Sequence, residues 1–436
     1  MKKSRIFVFE FVSGGGFNKI EIPPSLFCEG FAMLKSIITD FNEIGFEVNT
    51  LLDYRINWLT QYLKTNYIVQ VDKDVYYTKK FEEVLKDCEY CFIIAPEFSN
   101  ILFNLTKIAK DMNKKILSVD LKGIKLGSSK IKTYEFFKTS NVNTPVTFLI
   151  PKTESNFDFE FIFHKFNEIN KPIIIKPDDG VGAESIYYIE KKDHLIKFSR
   201  NWNKYLDINR NYIIQEFIRG EDLSLSLIRT RNDRYLLSDE YILGINAQLI
   251  NINKLKNEWQ YLGGYTPIEN HKQIKELILP LLKKLDLTAF HGYFGIDFIK
   301  STNNNIHFIE INPRLTTSYV GIRNTLNLNP VELILNPGNK IFKQNEIDPH
   351  SLSKFFHLEL KYHGNYNTEE ICYQIVPKLI KAIPEIVTPP ITFTEDTKQV
   401  PNTFFCFIAT NTKDSNSTTK RINQIFKTFK NYDFFV

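Results

Sequence analysis

Two stretches decide the reading of this chain: Gly292-Tyr293-Phe294-Gly295-Ile296-Asp297-Phe298-Ile299 and, shortly after it, Phe308-Ile309-Glu310-Ile311-Asn312-Pro313-Arg314. Both are apolar β-type runs broken by lone carboxylates. Side chains alternate between the faces of a strand, so Glu310 and Asn312 share one face, while Asp297 sits mid-strand among Phe and Ile. A carboxylate so placed is costly unless it is paired or metal-bound. Asp297, Glu310 and Asn312 offer hard oxygen ligands on adjacent strands. That set suits Mg²⁺ (or Mn²⁺), which takes few protein ligands and leaves positions for phosphate oxygens and water. Arg314 adds a planar fork for a carboxylate or phosphate. A structural Arg314–Asp297 salt bridge is the plainer account, but it leaves Asn312 unexplained.

Working back from there, Ile173-Ile174-Ile175-Lys176-Pro177 reads as a buried strand ending in a lysine. It runs into Asp178-Asp179-Gly180-Val181-Gly182-Ala183-Glu184. Lys176 supplies a point charge, and backbone N–H groups around Asp179, Gly180 and Gly182 suit phosphate oxygens. Alone, such a turn is more often a simple hairpin. A second segment, Tyr212-Ile213-Ile214-Gln215-Glu216-Phe217-Ile218-Arg219-Gly220-Glu221, carries an apolar strand into acidic residues. It fits an adenine slot, with backbone groups of Phe217 and Ile218 reading the base. An ordinary amphipathic hairpin explains it equally well.

In combined order and spacing, Lys176-Pro177 with its glycine loop, Gln215-Glu216-Phe217, Gly295-Ile296-Asp297-Phe298 and Glu310-Ile311-Asn312-Pro313-Arg314 resemble the ATP-grasp ligases over roughly residues 115 to 335. The resemblance implies ATP as a bound nucleotide and position-by-position roles. Lys130 matches the first phosphate-binding lysine, with Lys132 as a competing alignment, and Lys176 the second. Gln215, Glu216, Phe217, Ile218 and Glu221 match the adenine and ribose contacts. Asp297, Glu310 and Asn312 match the metal ligands, and Arg314 the group facing the reacting carboxylate. Two positions depart from the pattern: Ser129 stands where an Asp usually precedes the lysine, and the loop ends Ala183-Glu184-Ser185 without a further Gly. A closer likeness, carried by Phe217–Ile228, Asn312–Ile322, Phe9-Glu10-Phe11, Glu29-Gly30, Ala95-Pro96-Glu97 and Gly263-Gly264, is to an archaeal branch working in methanofuran-type cofactor assembly. It implies L-glutamate, through its γ-carboxylate, and tyramine or a related aromatic amine as substrates. A ligase for another amino-acid pair, or a nucleotide-binding regulator without catalysis, are the rival readings.

A length of 436 residues predicts several structural units. The pattern is α/β followed by α+β. Residues 1–126, alternating strands with helices Ser25–Ile44 and Asn100–Met112, read as a parallel-sheet domain. Residues 127–340 read as the ATP-grasp unit, with two sheets around the nucleotide, and 341–436 as a small α/β extension. That extension is open to three readings: a substrate lid, a module joining a homodimer, or a partner-binding unit. A net charge of +5 is too small over this length to argue for a nucleic-acid or membrane surface. The first apolar run, Ile6–Val12, contains Glu10 and breaks at Ser13-Gly14-Gly15-Gly16. It reads as a strand and not a signal peptide, so a cytoplasmic place is expected. The five cysteines fit a reducing compartment. Cys88-Glu89-Tyr90-Cys91 lacks a second ligand pair for zinc, so packing is preferred. Ser13–Gly16 reads as a flexible turn sooner than a substrate cradle, and His291 as a structural histidine. Trp259-Gln260-Tyr261-Leu262-Gly263-Gly264-Tyr265 reads as a mobile lid or acceptor pocket.

Overall fold

The computed structural model describes residues 3–180, 185–229, 240–253, 258–335, 347–393 and 402–436. Gly182, expected at the phosphates, lies outside the described residues, as do Val181, Ala183 and Glu184. The first unit holds β1 (Arg5–Glu10), α1 (Pro24–Glu43), β2 (Glu47–Asp53), β3 (Tyr67–Val71), α2 (Tyr77–Lys86), β4 (Tyr90–Ile94), α3 (Ile101–Asp111) and β5 (Lys115–Ile116). Its strands lie in the order β3-β2-β1-β4-β5 and all pair in parallel. Helices over both faces explain why β1 is apolar at nearly every position and not alternately. Its two charged residues stand at its ends: Arg5 is exposed, whereas Glu10 is buried at the C-terminal end.

The chain then runs through α4 (Leu121–Gly127) and α5 (Lys130–Thr139) into two sheets. The smaller holds β6 (Thr147–Leu149), β7 (Ile173–Pro177), β8 (Tyr187–Ile189) and β9 (Tyr212–Glu216) in the antiparallel order β6-β9-β7-β8, backed by α6 (Phe159–Ile169) and α7 (Lys192–Arg200). Ile173, Ile175 and Ile214 face the helices in a core of their own, so the intervening Ile174, Lys176 and Gln215 face the other way. The larger sheet contains β10 (Gly220–Arg229), β11 (Glu240–Asn253), β12 (Glu258–Thr266), β13 (Gly292–Ser301) and β14 (Ile306–Asn312). Beyond β12 come α8 (His271–Leu282) and, after β14, α9 (Ser318–Thr325).

The last section adds β15 (Ser353–Tyr362), β16 (Ile386–Ile391), β17 (Thr403–Ala409) and β18 (Phe434–Phe435). These do not form a sheet of their own. β15 pairs with β12, and the large sheet runs β14-β13-β10-β11-β12-β15-β17-β16, with β18 against β15. Pro389 and Pro390 lie within strand β16, at the sheet's edge. Proline is tolerated there because an outer N–H need not join the ladder. The Thr388 hydroxyl donates to the Cys28 carbonyl on α1 at 2.7 Å and the Lys35 ammonium to the Val387 carbonyl at 3.1 Å, so the extension grips the first unit.

The expected lid is a correction of the same kind. Trp259–Tyr265 lies within β12, bonded to β11 on one side, and its Gly263–Tyr265 end pairs with β15 on the other. Its glycines serve close approach and not mobility: Gly263 holds φ at +119°, and a Cβ there would lie 2.2 Å from the Phe355 carbonyl oxygen.

Candidate active site

One cavity lies between the two sheets and opens onto the C-terminal ends of β1 and β4 of the first unit. At its phosphate end Lys130 and Lys176 converge on Glu310: the Nζ atoms lie 3.4 and 3.6 Å from the Glu310 Oε2. Lys176 is buried, which lowers its pKa, with Glu310 working against the shift. Lys130 also donates to the Gly180 carbonyl at 2.6 Å. Its helix is locked to the end of β7. Asp178 accepts from the Ser129 hydroxyl at 2.9 Å and from the Ile131 N–H at 2.9 Å, while Ser129 caps α5. Ser129 thus does capping work that an Asp there would otherwise do. Asp178, given no role from the sequence, is what fixes the lysine.

Glu310 and Asp297 face each other across the β13–β14 pair. Burial raises the Asp297 carboxyl to about 7, with Glu310 adding to the effect. Burial pushes Glu310 up as well, but Lys130 and then Lys176 outweigh it and hold Glu310 below the usual range. Asp297 accepts from Gln248 Nε2 and Asn312 Nδ2, each at 3.0 Å. Among the described residues no group of three His, Cys, Asp or Glu side chains would hold a metal by itself. Two repelling half-buried carboxylates with a neighbouring amide nevertheless fit a divalent cation whose remaining ligands come from phosphate and water. Arg314 does not bridge to Asp297: its Nε donates to both oxygens of Glu97, at 3.0 and 3.1 Å.

At the nucleotide end Gln215, Glu216, Phe217 and Ile218 all line the cavity. Their groups are not equally available. The Gln215 amide donates to Thr147 Oγ1 at 2.9 Å, and Glu216 is paired with Lys171. The Phe217 N–H already donates to the Pro172 carbonyl at 2.9 Å. The Ile218 N–H makes no such bond among the described residues. Two expected contacts stand elsewhere. Glu221 points away, 63% exposed and bonded to Lys300 at 3.0 Å, whereas its neighbour Asp222 lines the cavity. Asp179 lies outside the lining and pairs with Arg210 at 3.0 Å. Gly180 lines it.

The far end is a seam between the first unit and the segment after β14. Besides Arg314–Glu97, the Thr317 hydroxyl donates to Glu29 Oε2 at 2.9 Å, and Tyr319 and Arg323 both bond Asp40 of α1 at 2.6 Å. Glu10, Glu29, Val12, Leu26 and Met33 line this end, with Tyr261 of β12, whereas Trp259 of the same strand lies against the Phe217 ring at the other end, centroids 6.3 Å apart. The Ser13–Gly16 turn is a largely buried helical turn that stays outside the cavity lining. It wraps onto Glu10, whose carboxylate takes the Val12 and Ser13 N–H groups at 3.0 and 2.7 Å. His291 is not part of the lining, and Cys88 and Cys91 are buried thiols whose pKa values burial raises. Glu29, Asp222, Gln248 and Thr317 are among the lining residues to which the sequence reading gave no role. Only the Glu29-Gly30 pair and the alternation along β10 carried a signal for two of them.

Two sheets clasping a cavity with paired lysines and paired acids at one end define a nucleotide-dependent ligase. Residues 127–318 match the family model described as an ATP-grasp domain, and residues 46–124 that of the pre ATP-grasp 3 domain. The chain therefore carries an ATP-grasp domain over residues 127–318 and is an ATP-dependent C–N ligase. It is similar to the tyramine–L-glutamate ligase of Methanocaldococcus jannaschii, 28% identical over 342 residues that cover 78% of this chain and 91% of that protein. The tyramine–L-glutamate ligase of Methanocaldococcus fervens is 28% identical over 337 residues, covering 77% and 94%. Among solved structures, the biotin carboxylase domain dimer of Hydrogenobacter thermophilus 2-oxoglutarate carboxylase, in complex with MgADP, ADP and bicarbonate, superposes with a TM-score of 0.68. That comparison, at 13% identity over 98% of this chain and 90% of the other, speaks to the fold.

Proposed function

We propose that the enzyme joins L-glutamate, through its γ-carboxylate, to tyramine or a related aromatic amine, at the expense of ATP. The observation that carries the reading is the cavity's division into a cationic phosphate end and an acid-rich, partly apolar acceptor end, with Arg314 between them. The choice of substrates is supported by the likeness to tyramine–L-glutamate ligases, and it would place the reaction in methanofuran-type cofactor assembly.

In this reading Lys130 and Lys176 hold the phosphates, the Ile218 N–H reads the adenine and Asp222 takes the ribose. Arg314, steadied by Glu97, orients the substrate carboxylate, one oxygen of which attacks the γ-phosphorus. The bond to the bridging oxygen breaks and ADP departs, leaving an acyl phosphate. The amine nitrogen then attacks the acyl carbon and phosphate leaves. Asp297, Glu310 and Asn312 would hold Mg²⁺ or Mn²⁺, which supplies charge neutralisation at the phosphates. Positioning and fixed charge do the rest, so no Ser or Cys nucleophile is required.

The test is ADP release with each substrate omitted in turn, with mass analysis of the product. The expected outcome is release that depends on L-glutamate and an amide of glutamate with the aromatic amine. Release driven by another acid and amine, with none from this pair, would overturn the substrate assignment while keeping the ligase.

A further inference from the structure

Four buried or cavity-facing acids of the first unit differ in what satisfies them. Glu10 holds two backbone N–H groups, Glu97 holds Arg314, and Asp40 holds Arg323 and the Tyr319 hydroxyl. Glu29 has one hydroxyl donor, Thr317, on Oε2. The basic group nearest its Oε1 is the His357 Nδ1 at 3.9 Å, too far for a hydrogen bond, and burial lowers the His357 pKa, so that ring is neutral. Glu29 therefore faces the cavity one cation short. Burial raises its carboxyl to about 7, against the Thr317 bond and the field of Arg314. That value suits a group that must take and release a proton near neutral pH.

What surrounds it narrows the ligand. Leu26 and Met33 stand on the same face of α1 as Glu29, one turn to either side, and Val12 and Tyr261 complete an apolar cup. Glu10 also lines this end but is already held by two backbone N–H groups, so the cup with the Glu29 carboxylate fits a primary ammonium attached to an apolar or aromatic body. It does not fit the amino-acid end of glutamate, whose α-carboxylate Leu26 and Met33 could not satisfy.

Resting on the ligase reading above, we propose that Glu29 receives the incoming amine: its carboxylate binds the ammonium and accepts the proton that must leave before nitrogen can attack. The balance is complete. R–NH₃⁺ gives one proton to Glu29, its freed lone pair forms the C–N bond, and the C–O bond to phosphate breaks. The second amine proton goes to the departing phosphate, and Glu29 returns its own to solvent when product leaves. Thr317 acts as a positioning residue, holding the other carboxylate oxygen.

Hydroxylamine separates this role from the first half-reaction, since it is uncharged at neutral pH and traps acyl phosphates without help. Wild-type enzyme with ATP, Mg²⁺ and L-glutamate should form the hydroxamate; its failure to do so overturns the glutamate-and-amine reading on which this proposal rests, and this proposal with it. Given that result, Glu29→Gln should lower amide formation with tyramine relative to hydroxamate formation by about 100-fold, chiefly through the KM of the amine. An unchanged ratio overturns the proposal. So does a rise in the KM of glutamate in the hydroxamate assay, which would assign Glu29 to the amino acid instead. Should Glu29→Gln lose its cooperative melting transition, Glu29→Asp, which keeps the charge but withdraws it, is judged by the same ratio with about a 10-fold fall expected.

Discussion

The phosphate end and the acceptor end of the cavity are built on opposite plans. At the phosphate end the charged groups come from strands and from a helix pinned by Asp178, and they already answer one another: Lys130 and Lys176 lie on Glu310, and Asn312 and Gln248 lie on Asp297. At the acceptor end the groups come from parts of the chain far apart in sequence, across a seam between α1, Glu97 and the segment from Arg314 to Arg323. The first plan gives a rigid electrostatic frame that needs no reorganisation as charge develops on phosphate. The second leaves one carboxylate, Glu29, for a ligand to complete.

The largest effect should come from the shared acid of the rigid frame. Glu310→Ala removes the counter-charge of two lysines and a cation ligand at once, and stranding buried charge is costly. ADP release should fall by about 1,000-fold or more while cooperative melting is kept. Retained ADP production in that variant would break the distinction between the two ends.

A smaller effect is expected at the seam. Glu97→Gln leaves Arg314 charged but removes the charge that its Nε–H shares between the two Glu97 oxygens. A misplaced orienting group costs about 100-fold. The loss should appear in glutamate-dependent ADP release, with ATP affinity within about 3-fold of wild type, by nucleotide titration. If ATP affinity falls in step, the seam is part of the nucleotide site and the two ends are one.

This contrast also explains what could be read from the sequence. The strand carboxylates Asp297 and Glu310 announce themselves, because a charge inside an apolar run has few explanations, and both face the cavity as alternation requires. Lys176 is legible for the same reason. Arg314 was legible as a fork, but its partner was not, since Glu97 lies over 200 residues away, |i−j| being 217. The strand identity of Trp259–Tyr265 was hidden by its glycines, which read locally as mobility and serve a bulge pressed against β15. The third section was read as separate because sheet membership of β15 is decided by the partner strand and not by its own pattern.

Titration should distinguish the ends by a factor of about 10 per pH unit. Glu29 is faced by Thr317 and Arg314 from the seam, Tyr261 from β12, His357 from β15 and its neighbour Cys28, with Glu10 over Gly30. With the carboxyl raised to about 7, kcat/KM for the amine should fall as pH drops below 7, while hydroxamate formation lacks that limb. Stability runs in the opposite sense. The folded protein holds a proton on Glu29 that the unfolded chain loses between about 4.5 and 7, so this group's contribution is lost as pH rises through 7. Glu29→Gln should accordingly melt above wild type at pH 8, with the gap closing towards pH 5. A gap that stays constant with pH would remove the titration from Glu29.

The smallest effect tests the one-residue difference between Glu221 and Asp222 on β10. Successive residues of a strand point to opposite faces, so a carboxylate read one position off its true place changes from lining a site to standing in solvent. Asp222 and Ser224 share the cavity face, opposite Ile299 and Asp297 of β13, and Glu221 pairs with Lys300 on the outside. Asp222→Asn should raise the KM for ATP by about 10-fold, as expected for a lost charge-assisted bond to a ribose hydroxyl. Glu221→Gln breaks only an exposed ion pair, and ATP kinetics should stay within about 2-fold of wild type. The reverse order of effects would mean that β10 slides by one residue when nucleotide binds. The nucleotide end would then be no more preorganised than the seam.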